Sequence, residues 1–172
     1  LQLKRMRDFL KSKNEFLEQE VARRTQEIRA IQDVTILALA SLAETRDNET
    51  GDHIRRTQLY MRALAQRLQS HPRFAWFLTD ENIELLYKSA PLHDIGKVGV
   101  PDSVLLKPGK LNSEERQAMN AHTALGYKSI KEAEARLGSQ VGFLTLAREI
   151  ALSHHEKWDG SGYPQQLPGD KI

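Results

Sequence analysis

Apolar positions along the first quarter of the chain recur at alternating intervals of three and four. Leu3, Met6, Leu10 and Leu17 step in this way with Lys13 in the series, and Val21, Ile28, Ile31, Ala38 and Leu42 continue it with Arg24 and Thr35 in step. Such spacing keeps one face of a helix apolar and is the heptad of a coiled coil. Residues 1 to about 46 contain no Gly or Pro and consist mostly of good helix formers, so one long helix is predicted. The steps from Lys13 to Leu17 and from Leu17 to Val21 are both of four, a stutter that locally unwinds a coiled coil. So narrow a stripe, kept for so long, predicts a parallel dimeric coiled coil; packing of the helix on its own domain is the other arrangement. From Thr35 to Ala43 the text is apolar almost all round, as in a helix entering a core. The expected organisation is a helical linker over 1–30 and a globular domain over 31–172.

The remaining pattern predicts shorter helices. The turn residues Asp47 to Gly51 break the first helix. A second follows with Ile54, Met61, Leu64, Ala65 and Leu68 on one side, ending at His71-Pro72. Thr79-Asp80 caps a third, with Ile83, Leu86, Tyr87 and Ala90 as its buried stripe, kinked by Pro91 and carrying His93-Asp94 near its end. Residues 96–110 show no period and are expected to form an ordered loop. Ser113 begins an interrupted helix through His122 to Leu137, stopped by Gly138, and a last helix from Val141 to Glu156 buries Phe143, Leu144, Ala147, Ile150 and Ala151. No segment alternates as a strand does, so the predicted class is all-α.

Composition narrows the chemistry. The chain has 172 residues, 40% hydrophobic and 28% charged, with a net charge of +2. This is a soluble composition whose small, interspersed charge gives no argument for a nucleic-acid polymer as partner. There is no cysteine, which leaves any metal to histidine and carboxylate. No apolar run approaches a membrane span and the start lacks a signal-peptide core; no membrane partner and a cytoplasmic location are expected. The sequence starts without Met and stops at Gly-Asp-Lys-Ile, so a fragment of a longer protein is expected.

The chemistry-bearing residues cluster. Ser153 to Pro164 holds adjacent histidines, two carboxylates and a Gly-x-Gly-Tyr-Pro turn. Elsewhere His53 lies four residues after Glu49, His93 precedes Asp94, and His122 stands alone on a helix. Imidazoles and carboxylates without thiolates suit Fe, Mn, Zn or Ni better than Ca or Mg. Taken singly, each feature has an ordinary explanation: His122 a hydrogen-bonded histidine, Asp47 and Glu49 turn or cap residues, Asp159-Gly-Ser-Gly a tight turn, Trp158 and Tyr163 packing, Lys97 a solvated charge. Their conjunction favours a site.

Three stretches carry a resemblance. Glu44-Thr-Arg-Asp-Asn-Glu-Thr-Gly-Asp-His53, His93-Asp-Ile-Gly-Lys97 and His154-His-Glu-Lys-Trp-Asp-Gly-Ser-Gly-Tyr-Pro164 resemble the HD-GYP family, a branch of the HD metal-dependent phosphohydrolases. The likeness runs from about Ile31 to Ile172, and its Gly-Tyr-Pro stretch is highly specific. It implies a helical HD fold and hydrolysis of cyclic di-GMP to the linear dinucleotide or GMP. It implies two or three divalent metal ions, commonly iron or manganese. The matching ligands are His93, Asp94, His122, His154 and His155, with Glu49 and His53 as the pair for a third ion. Lys97 matches the family lysine beside the bridging water or phosphate. Asp94 is suited to bridge two metals and, with Lys97, forms the expected catalytic pair. Asp159, Gly160, Gly162, Tyr163 and Pro164 are the expected substrate wall. The family pattern continues beyond Gly169-Asp170 with an apolar segment, a metal-ligating aspartate and basic residues, and these are expected outside this sequence.

The expected partners are cyclic di-GMP, a second copy of the chain through the first helix, and an amino-terminal receiver or sensor module, as in a two-component response regulator. The other readings are a catalytically silent signalling module that binds partner proteins, and an HD hydrolase acting on another nucleotide, such as a mixed cyclic dinucleotide.

Overall fold

The computed structural model describes residues 2–46, 52–139 and 141–172. Among these the regular elements are all helical, with one isolated bridge between Asp159 and Pro168. The α-helices are α1 (Gln2–Glu44), α2 (Asp52–Leu68), α3 (Asp80–Ser89), α4 (Asp102–Leu105), α5 (Ser113–Asn120), α6 (His122–Leu137) and α7 (Gly142–Ser153). Short 3-10 turns occupy Ala90–Leu92, Ile95–Gly99 and Gly169–Lys171. The chain divides into two compact units, Leu1–Thr35 and Ile36–Ile172. None of the described helices is long and apolar enough to cross a membrane.

The first unit is helix alone. Its exposed face is held by Arg23 and Arg24, which pair with Glu20 and Glu27 one turn away. The apolar series is exposed, from Leu10 and Leu17 to Val21 and Ile28. The apolar text from Thr35 onward is buried on one side only: Ala40 and Ala43 are covered, whereas Leu39 and Leu42 are 49% and 63% exposed.

In the second unit α7 lies between α6 and α3, and its small residues decide the closeness. Ala147 and Ala151 are fully buried against Leu92 and Ile130, with Ile36, Ile95, Phe143 and Leu144 around them. A second cluster joins Ala65 of α2 to Leu78 and Ile83, and a third joins Val100, Val104 and Leu105 to Leu111, Ala118 and Met119. Leu64, predicted on the buried face of α2, is 60% exposed; Gln58 takes an interior position instead.

Several predicted boundaries shift for identifiable reasons. Thr79 caps α3, its hydroxyl accepting from Asn82 N. Pro91 does not kink a continuing helix; α3 ends at Ser89 and a 3-10 turn begins. Proline offers no N–H to the carbonyl of Tyr87 four residues earlier, and Gln58 Nε2 donates to that oxygen at 3.1 Å. The expected loop over 96–110 contains the 3-10 turn Ile95–Gly99 and α4. Asn112, not Ser113, caps α5 through a reciprocal capping box with Glu115. Gly138 ends α6 with φ +72°. The last helix ends at Ser153, so His154, His155 and Glu156 lie beyond its final turn.

Candidate metal centre

Asp94 follows the 3-10 turn Ala90–Leu92 that contains Pro91, His122 opens α6, and His154 caps the end of α7. Two glycines set how closely these elements approach. A Cβ on Gly96 would stand 1.9 Å from His122 O and 2.5 Å from Gly126 N, and one on Gly126 3.3 Å from Gly96 N. Only glycine permits the turn carrying Asp94 to press onto the first turn of α6. Gly96 stood in the His93-Asp-Ile-Gly-Lys97 stretch without a role of its own and Gly126 did not stand out; the available signal was a small residue one helical turn after His122 and another two residues after Asp94.

One ligand atom from each of Asp94, His122, His154 and His155 lies within 4.8 Å of the others. His122 Nδ1 donates to Met119 O at 2.8 Å, and His154 Nδ1 to Ile150 O and Ala151 O, both at 3.1 Å. With those protons committed, each neutral ring presents a lone pair at Nε2. The two Nε2 atoms are 3.3 Å apart and stand 3.3 and 3.4 Å from Asp94 Oδ1. That oxygen is buried without a hydrogen-bond partner. Two lone pairs and an orphaned carboxylate oxygen repel one another unless a cation or a proton lies among them, so the donor set fits a divalent metal.

The other oxygen of Asp94 serves different partners. Oδ2 lies 2.9 Å from Lys97 Nζ and 3.1 Å from His93 Nε2, while His93 Nδ1 donates to Ala90 O at 3.0 Å. Burial favours the protonated form of Asp94, but when protons at the imidazole nitrogens take the place of a cation, His122, His154 and His93 outweigh it and hold the carboxyl well below the usual carboxylate range. Burial also favours neutral His93, yet the bond to Asp94 prevails and raises its pKa. His155 goes the other way: burial first, then the neighbouring charges of His154 and His122, push it down to about 4.

The remaining predicted residues flank this centre. The His53 ring, on the first turn of α2, is 5.7 Å from that of His93. Glu49, the predicted partner of His53, lies outside the described residues, as does Asp47. Tyr163 stacks on His155 and meets His122 edge-on at 6.3 Å. Burial, then the charge of Asp94, raise the Tyr163 hydroxyl above its ordinary pKa. Asp159 is exposed and closes its own turn, accepting from Ser161 N and Oγ at 2.9 and 2.7 Å. Gly160 stands at φ +75°, Gly162 is buried, and Pro164 is exposed after a cis peptide. Glu156, not singled out in the sequence, holds the loop from beneath: its carboxylate accepts from Gln165 N at 2.6 Å and Leu167 N at 2.9 Å.

Comparison with known proteins agrees with this geometry. Residues 50–172 match the family model described as HD domain. The whole chain is 51% identical over 172 residues to a probable cyclic di-GMP phosphodiesterase of Vibrio cholerae serotype O1, covering 39% of that protein. The chain belongs to the HD-GYP branch of the HD-domain family. A second relative from the same organism, named cyclic di-GMP phosphodiesterase, is 58% identical over 146 residues, 85% of this chain and 30% of its own length. A third, named 3'3'-cGAMP-specific phosphodiesterase 2, is 38% identical over 146 residues, 85% of this chain and 25% of its own length. The chain thus spans well under half of each relative, and the matched family segment, residues 50–172, contains the whole described donor set.

Proposed function

We propose that this chain is the catalytic part of a phosphodiesterase that hydrolyses cyclic di-GMP to the linear dinucleotide or to GMP. The observation that carries the reading is the convergence of His122 Nε2 and His154 Nε2 on the buried, unbonded Asp94 Oδ1. Identities of 51% and 58% to relatives named for cyclic di-GMP, against 38% to one named for the mixed dinucleotide, support this substrate.

Bound divalent metals supply the Lewis-acid charge and the activated water that an in-line phosphodiester displacement needs. His93, Asp94, His122, His154 and His155 would hold two of them, with Glu49 and His53 providing for a third; iron and manganese suit this nitrogen and oxygen set. Asp94 orients the centre, offering one oxygen to the histidines of α6 and α7 and the other to Lys97 and His93. Lys97 pairs with Asp94 Oδ2 at 2.9 Å and holds a positive charge where a substrate phosphate arrives. His155, with its pKa pushed down to about 4, is a neutral ligand at pH 7. Asp159, Gly160, Gly162, Tyr163 and Pro164 form the wall against which the dinucleotide lies.

The exposed apolar series on α1 supports a parallel dimer, and the same helix is suited to connect the domain to a receiver or sensor module of a cytoplasmic two-component response regulator. Metal analysis combined with a cyclic di-GMP hydrolysis assay on the full-length protein tests the reading, with Asp94→Ala as comparison. A metal-loaded wild type that leaves cyclic di-GMP intact defeats it.

A further inference from the structure

The region around Lys97 is held from two sides. On one side Gly96 presses against His122 O and Gly126 N of α6. On the other a single guanidinium, that of Arg46, reaches 52 to 56 residues along the chain. One nitrogen donates to Val98 O; the other donates to Val100 O at 3.4 Å and pairs with Asp102 Oδ1. All three acceptors fall within five residues after Lys97. Val98 belongs to the 3-10 turn that carries Lys97, Val100 is 2% exposed, and Asp102 begins α4. Arg46 itself is anchored close behind the end of α1: Thr45 N donates to Ser41 O, Thr45 Oγ1 to Leu42 O, and Ala40 and Ala43 are each 2% exposed.

We infer that Arg46 is a positioning residue, a fork that fixes the turn carrying Lys97 and so sets the Lys97 ammonium at 2.9 Å from Asp94 Oδ2. The reason lies in what else could hold that turn. Val98 and Gly99 are exposed, and a 3-10 turn has poorer hydrogen-bond geometry than an α-helix. A planar guanidinium satisfies two carbonyls and a carboxylate at once and loses little freedom in doing so, which a lysine cannot imitate. Because Arg46 follows α1 by two residues, the fork also ties the end of α1 to the metal segment. A displacement there acts on Lys97 directly, without passing through the core.

The inference rests on the phosphodiesterase reading for its kinetic test, and hydrogen exchange keeps the two separable. In metal-loaded full-length protein, Arg46→Ala should speed amide exchange over Val98–Leu105 by about tenfold and leave α6 and α7 unchanged. The kcat for cyclic di-GMP should fall on the order of 100-fold, with KM and metals per chain close to wild type. Arg46→Lys, which keeps the charge but not the fork, should fall between the two and serves if the alanine variant does not fold. Wild-type exchange and kcat in Arg46→Lys and Arg46→Ala overturn the inference. So does a kcat that falls only in proportion to metal lost, with exchange over Val98–Leu105 unchanged. If wild type leaves cyclic di-GMP intact while exchange responds as described, the reaction assignment fails and the fork stands.

Discussion

The ring of Tyr163 lies over the imidazole of His155 with centroids 4.6 Å apart and planes 20° from parallel. The stack covers one face of a proposed ligand and fixes its plane. Its hydroxyl is raised above the ordinary pKa by burial and by Asp94, so it stays protonated at neutral pH and is no base. Tyr163→Phe should therefore keep kcat for cyclic di-GMP within about threefold. Tyr163→Ala loses the stack, worth about 0.5–1.5 kcal/mol, and should weaken metal retention or raise KM by about tenfold. Steady-state kinetics with metal analysis separates the two, and a large kcat loss in the phenylalanine variant would assign the hydroxyl a chemical part.

Two glycines in the same loop should respond differently to alanine. A Cβ at Gly162 would lie 2.4 Å from Lys157 N and 2.5 Å from both Glu156 Cα and His155 O, all backbone atoms that cannot step aside. Gly160, at φ +75°, has nothing nearer than Pro168 Cβ at 3.5 Å. Gly162→Ala should cost about 1–3 kcal/mol by overpacking and disturb His155. Gly160→Ala should cost about 1 kcal/mol of backbone strain. Thermal melting with bound-metal counts checks the order, and equal losses would show that the packing beneath Gly162 relaxes.

These glycines mark where sequence reading stops. The long first helix was legible because the first 50 residues contain no Gly or Pro. Asp94, His154 and His155 stood in motifs of the sequence, whereas His122 stood alone on a predicted helix, and its place at the first turn of α6 beside the others is a fact of the fold. The contact of Gly96 with Gly126 was not legible, because close approach of two backbones is a pairwise fact about segments 30 residues apart. Arg46 stood in the stretch from Glu44 to His53 with no role of its own until its three acceptors were placed around it. Glu156 stood inside a motif whose histidines drew the attention, while its carboxylate serves two backbone N–H groups. The end of α1 failed for another reason: an apolar run does not say which of its sides a domain covers, and Leu39 and Leu42 stay exposed.

His155 gives the metal-free protein an acid-sensitive step. Its folded pKa of about 4 lies below the unfolded value of 6.5, so the unfolded chain binds this proton more readily. Its contribution is complete above 6.5 and is lost as pH falls from 6.5 toward 4. His93 has the opposite sign, since its raised pKa adds stability that is present in full below 6.5 and lost as pH rises through the folded value. In metal-free protein, His155→Gln should flatten the decline in melting temperature between pH 6.5 and 4. An unchanged decline would place the acid-sensitive group elsewhere.

Metal removal should destabilise the domain as well as silence it. Without a cation, Asp94 Oδ1 stays buried among two Nε2 atoms. Free Mn(II) at 100 times its Kd should stabilise the folded state by about 2.7 kcal/mol, and chelation should reverse this. Asp94→Asn keeps the shape and removes the charge, so its melting temperature should no longer respond to Mn(II). A metal response retained in that variant would locate the binding site away from Asp94.

The apolar series on α1 makes the last prediction. Leu10, Leu17, Val21 and Ile28 are 50–64% exposed, and Arg24, which stands in their series, pairs with Glu20 and Glu27. Burying one such leucine against a second copy contributes about 1.5–3 kcal/mol, and a parallel pair brings each into register with its own counterpart. Lys13 sits in the series beside the double step of four, so the pairing should be looser there than between Val21 and Ile31. Leu10→Asp with Leu17→Asp should convert a dimer to monomer in sedimentation equilibrium while the helices of 36–172 and their bound metal persist. Lys13→Leu should tighten the dimer. A dimer that survives both aspartates would show that the copies meet through some other surface.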